Sequence, residues 1–198
     1  MSATVVGMSW EVLYRAERAM NKTIERLIRA TTALDQANIP YAVVGGHAVA
    51  AWVASIDESA VRTTRDVDLL VRRADLAAIT IALEQAGFQG EEVLGLFAFR
   101  DLPQGKLGEG VHLLFEKEII RTDYPIPSPE IAISSLKTDY KVIELPPLVT
   151  MKLLAFRRKD QVHILDMMGV GLIDVTWLDR VPPMLRDRLH TLLNDPDG

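Results

Sequence analysis

The chain has 198 residues, 48% hydrophobic and 25% charged, a balance that supplies a buried core and excludes a disordered chain. A formal charge of −5 argues against a protein that grips nucleic acid through a broad basic face, so no extended DNA-binding surface is expected. The absence of cysteine excludes disulfide frameworks, thiolate zinc sites and cysteine nucleophiles together.

No apolar run approaches the roughly 20 residues of a membrane span. The opening "MSATVVGMSWEVLYRAER" has no basic start, continuous apolar middle or small-residue cleavage site. The expectation is a cytoplasmic protein with no membrane partner. No internal repeat or composition shift divides the chain, which reads as a single domain over 1–198.

From about Ser9 to Ala37, Leu13, Ala16, Met20, Ile24, Leu27, Ile28 and Leu34 recur at steps of three and four among charged residues, predicting amphipathic helix. Pro40 ends that period. In "YAVVGGHAVAAW" a short β-favouring run, Tyr41 to Val44, meets Gly45-Gly46 and then an Ala-rich helix to about Ala54. The order is strand, Gly-Gly turn, helix. After a polar loop comes "RTTRDVDLLV", with a strand expected over Asp66 to Val71. A helix from about Asp75 to Gln85 follows, with Asp75 as N-cap and Gly87 as the C′ residue. Strands are expected near Val93 to Phe99 and Gly110 to Phe115, separated by a turn-rich segment. A Pro-punctuated loop leads to a short helix near Pro129 to Ser134 and a strand near Tyr140 to Leu145. From Pro147 the pattern is helical, with breaks at Gly169, Gly171 and Pro182-Pro183. The fold class is α/β: a small mixed sheet flanked by helices, with a helical C-terminal part.

The chemistry concentrates at Asp66 and Asp68. Residues i and i+2 of a strand share a face, so the two carboxylates project together while Val67 and Leu69 point the other way. Two adjacent carboxylates repel unless a cation compensates, and hard oxygen ligands suit Mg²⁺ with substrate phosphates. The alternative is a solvated strand end, with Asp66 on turn amides and Asp68 paired to Arg65 or Arg72. The Gly-Gly turn shifts the balance, because a helix N-terminus presents unpaired amides and a positive dipole end to phosphate. Lys152, beside an apolar helix face, either reaches phosphate or snorkels to solvent. Asp160, His163 and Asp166 fall at steps of three, open to a metal site or, with Arg157, Arg158 and Lys159, to an RNA-facing edge, while Asp160 and the basic run Arg157 to Lys159 read as a solvated face.

These residues in this order, "YAVVGGHAVAAW", "RTTRDVDLLV" and "LVTMKLLAFRRKDQVHILDM", resemble the nucleotidyltransferase superfamily, and within it the minimal AbiEii-like abortive-infection and toxin branch. The resemblance implies that Gly45, Gly46, Arg65 and Lys152 bind the nucleoside triphosphate and that Asp66 and Asp68 ligate Mg²⁺ or Mn²⁺. It implies transfer of a nucleoside monophosphate to an RNA, protein or small-molecule acceptor, with an antitoxin as a partner, and places Asp166 as an acidic residue after the late helix. Active superfamily members commonly carry a third carboxylate on a later strand. Here that strand reads "GVHLLF", with His112 at the position, as a base, a ligand for a softer metal or a core histidine. Glu109, Glu116 and Asp166 are the alternative acids, and loss of the third acid would leave a nucleotide-binding or protein-interaction module without turnover.

Overall fold

The computed structural model describes residues 10–93, 95–103 and 105–195, without the side chains of residues 12, 13, 15 and 16. The readings placed on the first nine residues, on Leu94 and on the side chains of Leu13 and Ala16 lie outside the described residues. Five strands, β1 (Tyr41–Val44), β2 (Val67–Val71), β3 (Phe88–Val93), β4 (Leu96–Asp101) and β5 (Val111–Phe115), form one sheet in the order β1-β2-β5-β4-β3. Only β2 and β5 run parallel. Their crossover contains a helix and the β3–β4 hairpin, so the sheet is mixed.

Helices α1 (Trp10–Gln36) and α3 (Leu76–Gln85) cover one face, while α2 (Gly45–Ala54), α4 (Leu145–Ala155), α5 (Arg158–Gly169) and α6 (Arg186–Asn194) lie against the other. Strand alternation sorts the side chains between these layers. Tyr41, Val43, Val67, Leu69, Val111 and Leu113 enter the core under α1 and α3, with Leu27, Leu34 and Leu83. Ala42, Val44 and Leu70 enter the opposite core with Val49, Leu148 and Leu153. By the same two-residue period Asp68 and His112 face the second layer, at the end of the sheet where its apolar packing stops. The α/β class and the mixed sheet are as expected.

Local departures have local causes. The expected strand near Val93 to Phe99 is the second arm of a hairpin whose first arm is β3. Gly87, at φ +85°, ends α3 as expected, and Phe88 starts β3 directly. Asp75 stands at the N-cap of α3, but its side chain makes no capping bond. The segment expected as helix near Pro129 to Ser134 is extended. Glu116 accepts the Ile131 amide at 2.8 Å, and Ile133 bridges Ile143. In place of a strand over Tyr140 to Leu145 there are isolated bridges at Val142 and Ile143, because Leu145 already begins α4, with prolines in its first turn. The run "MKLLAFRRKD" is two helices: Phe156 takes the left-handed conformation at φ 48°, closing α4, and Arg157 starts the turn into α5.

Candidate active site

Sheet register assembles the site. Asp68 lies opposite Val44 on β1 and opposite His112 on β5, so the residue before the Gly-Gly turn, the aspartate and the histidine form one row across three strands. Asp66 precedes β2 and is held by Thr64, whose hydroxyl donates to Asp66 Oδ1 at 2.9 Å. Asp66, Asp68 and His112 each offer a ligand atom, all within 4.8 Å of one another. Among the described residues this is the one such cluster of three.

The Gly-Gly turn is tight because the carboxylate sits against it. Gly45 has φ +66°, and a β-carbon there would stand 2.0 Å from Asp68 Oδ2. A β-carbon on Gly46 would stand 2.6 Å from Thr64 Oγ1. Gly45 therefore meets both the left-handed conformation and the close approach of Asp68, while Gly46 makes room for the residue that holds Asp66. Among the described residues no side chain caps α2, which leaves its first amides to other partners.

His112 donates from Nε2 to the Leu107 carbonyl at 2.9 Å, which turns Nδ1 towards Asp68 Oδ1, 3.5 Å away. The bond to Asp68 raises the imidazole pKa, against the opposing pull of burial. Burial works against ionisation of Asp66, yet the Thr64 hydroxyl and the Lys159 and His112 charges hold its pKa below the ordinary carboxylate value. Lys159 Nζ lies 3.7 Å from Asp66 Oδ2.

Lys152 is not a snorkelling surface residue. It is 6% exposed, and Nζ lies 3.3 Å from Asp160 Oδ1. Asp160, expected on a solvated face, is 1% exposed and also accepts from the Arg157 side chain at 2.7 Å. The helix break at Phe156 causes this by turning the first residues of α5 back towards α4. Burial pushes the Lys152 pKa down, while the charges of Asp160 and Asp68 push it up. A cavity of about 650 Å³ joins these groups. Gly45, Asp66, Asp68 and His112 line one side, and Lys152, Arg157, Lys159 and Arg121 supply positive charge around it.

Other expected site residues lie elsewhere. Arg65 is exposed in a basic concavity with Arg18, Lys22 and Arg26 that also contains Glu109 and shares no lining residue with the Asp66 cavity. Glu116 holds the Ile131 amide and pairs with Arg72 at 3.3 Å, away from His112. Asp166 pairs with Arg62 at 2.8 Å. His163 keeps Nδ1 buried without a hydrogen-bond partner among the described residues, and burial lowers its pKa to about 4. Neither it nor Asp166 lines the cavity. Sequence reasoning missed Arg157 and Lys159 as cavity residues, and Arg121 and Tyr124 altogether. The last two come from an irregular segment whose path no periodicity reports.

A mixed sheet whose strand-turn-helix unit backs onto paired aspartates defines the nucleotidyltransferase fold. The chain belongs to the family described as uncharacterised nucleotidyltransferase, whose model matches residues 4–145. In fold it is similar to the antibiotic-resistance factor ANT(2″)-Ia in its solution structure. The TM-score is 0.56 at 15% identity, covering 87% of this chain and 93% of that one. It is also similar to the crystal structure of ANT(2″)-Ia in complex with adenylyl-2″-tobramycin, with TM-score 0.51 and 15% identity over 86% and 96% of the two chains. A nucleotidyltransferase-like protein from Paracoccidioides brasiliensis aligns at TM-score 0.47 and 20% identity, over 76% and 75%. By sequence the chain matches no curated protein. No helix among the described residues is long and apolar enough to cross a membrane.

Proposed function

We propose that this chain is a divalent-metal-dependent nucleotidyltransferase that moves a nucleoside monophosphate from an NTP to a hydroxyl acceptor. One observation carries the reading: Asp66, Asp68 and His112 converge within 4.8 Å beside the uncapped start of α2. The donor set fits a divalent ion. Two carboxylates supply charge, and the Leu107 carbonyl fixes His112 with Nδ1 inward, the orientation that outer-shell partners impose on ligating histidines. An imidazole in the set favours Mn²⁺ over Mg²⁺. When bound, the ion supplies neutralisation of phosphate charge and activation of the acceptor oxygen.

The chain's own residues do the rest by positioning. The α2 amides after Gly45 bind phosphate oxygens at the positive end of the helix dipole. Lys152, Arg157 and Lys159 surround the triphosphate, and the buried Asp160 holds the first two in place. The acceptor hydroxyl gives its proton to solvent as its oxygen bonds to the α-phosphorus and the bond to pyrophosphate breaks, aided by preorganised charge.

The AbiEii-like toxin branch, with an RNA or protein acceptor and an antitoxin partner, rests on the sequence motifs. A small-molecule acceptor is supported by the fold shared with ANT(2″)-Ia. The second reading, nucleotide binding without turnover, is favoured by His112 standing where a third carboxylate is common. Labelled NTP with Mn²⁺ or Mg²⁺ tests both. Metal-dependent pyrophosphate release that Asp66→Asn and Asp68→Asn abolish supports the enzyme, nucleotide binding by calorimetry without release supports the module, and neither result sinks both.

A further inference from the structure

The sheet register that assembles the carboxylate cluster continues past it. Val44, Asp68, His112, Ala98 and Glu91 are successive partners on β1, β2, β5, β4 and β3, so one row of side chains crosses the whole sheet on one face. At the β1 end, Val44 leads into the Gly45 turn, and α2 packs in one core with α4 and α5, which carry Lys152 and Lys159. Asp68 and His112 stand in the middle. At the far end, β3 and β4 contribute no described residue to the core beneath α2, α4, α5 and α6, so the second helical layer stops short of these two strands. Val93 and Leu96, partners at the end of that hairpin, are 45% and 58% exposed.

In-line displacement puts the entering and leaving oxygens on opposite sides of the α-phosphorus. On the nucleotidyltransferase reading, the leaving pyrophosphate lies with the α2 amides, Lys152 and Lys159, at the β1 end of the row, and the α-phosphorus lies at the Asp66–Asp68–His112 cluster. The entering oxygen then comes from the β4 side, where Ala98 stands one strand spacing, about 4.8 Å, beyond His112. Ala98, Leu96 and Val93 line the cavity there, and Ile120, Tyr124 and Met151 add apolar wall. Charge at this end is balanced. Glu91 accepts from Arg100 Nε at 2.9 Å, and Arg121 pairs with Asp123 at 3.0 Å. The carboxylates lining the cavity among the described residues are Asp66, Asp68 and Asp160, two in the metal cluster and the third bound by Lys152 and Arg157. A polycationic acceptor would find no free carboxylate, and any charged group set against Val93 and Leu96 would lose hydration without gaining a partner.

We propose that the acceptor docks on the uncovered β4–β3 end of the sheet, against Ala98, Leu96 and Val93, and that it is an alcohol with an uncharged, apolar body. The inference rests on the nucleotidyltransferase reading and names the substrate class of that site. Its oxygen bonds to the α-phosphorus, pyrophosphate leaves, and the hydroxyl proton passes to solvent.

The test uses the full chain with ¹³C-labelled alanine, leucine and valine methyls, loaded with Mn²⁺ and α,β-methylene-ATP, which holds the triphosphate site without transfer. Three probes of matched shape carry the same hydroxyl: 4-methylbenzyl alcohol, 4-(aminomethyl)benzyl alcohol as the cation and 4-(hydroxymethyl)benzoate as the anion. The neutral alcohol is expected to shift the Leu96, Val93 and Ala98 methyls saturably and to bind about tenfold tighter than either charged analogue. Leu96→Glu, at an exposed position that leaves the cores intact, is expected to erase the preference over the cation. Four results would overturn the proposal: no shift of these methyls at millimolar neutral alcohol, a charged analogue that binds as tightly, a preference unchanged in Leu96→Glu, or shifts caused by α,β-methylene-ATP alone that exclude the alcohol, which would give this face to the base. Metal-dependent pyrophosphate release from the native NTP is read separately. Its absence with the selective shifts intact would overturn the enzymatic reading rather than the placement of the alcohol.

Discussion

Replacing Gly45 with alanine probes the site at its tightest point. The added β-carbon would stand 2.0 Å from Asp68 Oδ2, where such contacts essentially never fall below 3.0 Å, so the carboxylate must retreat by about 1 Å. The φ of +66° adds a second cost, about 1–2 kcal/mol for an L-residue in the left-handed region. At about 2–4 °C per kcal/mol for a chain of this size, the melting temperature should fall by about 2–8 °C. A misplacement of about 1 Å in a catalytic constellation costs about a hundredfold in rate. Differential scanning calorimetry reads the first effect, and single-turnover pyrophosphate release with parallel Mn²⁺ titration reads the second. A variant that melts within about a degree of the parent and keeps its Mn²⁺ affinity would refute the packing of Asp68 on this turn.

Asp160→Ala strips Lys152 and Arg157 of a shared buried partner and should cost about 3–5 kcal/mol in urea unfolding, whereas a loss under about 1 kcal/mol would contradict the burial of that pair. Arg188 donates to the Leu153 and Leu154 carbonyls, both at 2.7 Å, and so caps the end of α4. Arg188→Met should therefore cost about 2–3 kcal/mol, read from the urea midpoint, and an unchanged midpoint would rule the cap out. His47 and His163 have folded pKa values of about 4 against 6.5 unfolded, so the unfolded chain binds more protons between those values. Stability contributed by their neutral forms is present above pH 6.5 and lost as pH falls towards 4. His47→Phe should reduce the slope of stability against pH in that window by about 1.4 kcal/mol per unit, and an identical slope would refute the assignment.

Much of the site was legible because its pieces are short and periodic. Gly45-Gly46 after a β-favouring run marks a strand-turn-helix unit. The two-residue alternation of Asp66, Val67, Asp68 and Leu69 places carboxylates on one face and apolar groups on the other, as the two cores confirm. What stayed hidden was long-range. β3, "FQGEEV", is an edge strand largely exposed to solvent, so it shows no hydrophobic period to read. Lys152 and Asp160 sit eight residues apart in what reads as one helix. Only the left-handed turn at Phe156 folds them into a buried pair.

The amino-acid sequence by itself determined the α/β class, the Gly-Gly turn and the paired aspartates, because each depends on neighbours within a few residues. The tertiary structure decided the company those aspartates keep. Asp68 meets His112 through β2–β5 pairing across more than 40 positions of chain. Arg65, next to Asp66 in sequence, lines a separate concavity with Arg18, Lys22 and Arg26, because the chain bends at Arg65 before β2 begins. Sheet register and helix packing, which no local pattern encodes, place the imidazole and the buried lysine around the carboxylates.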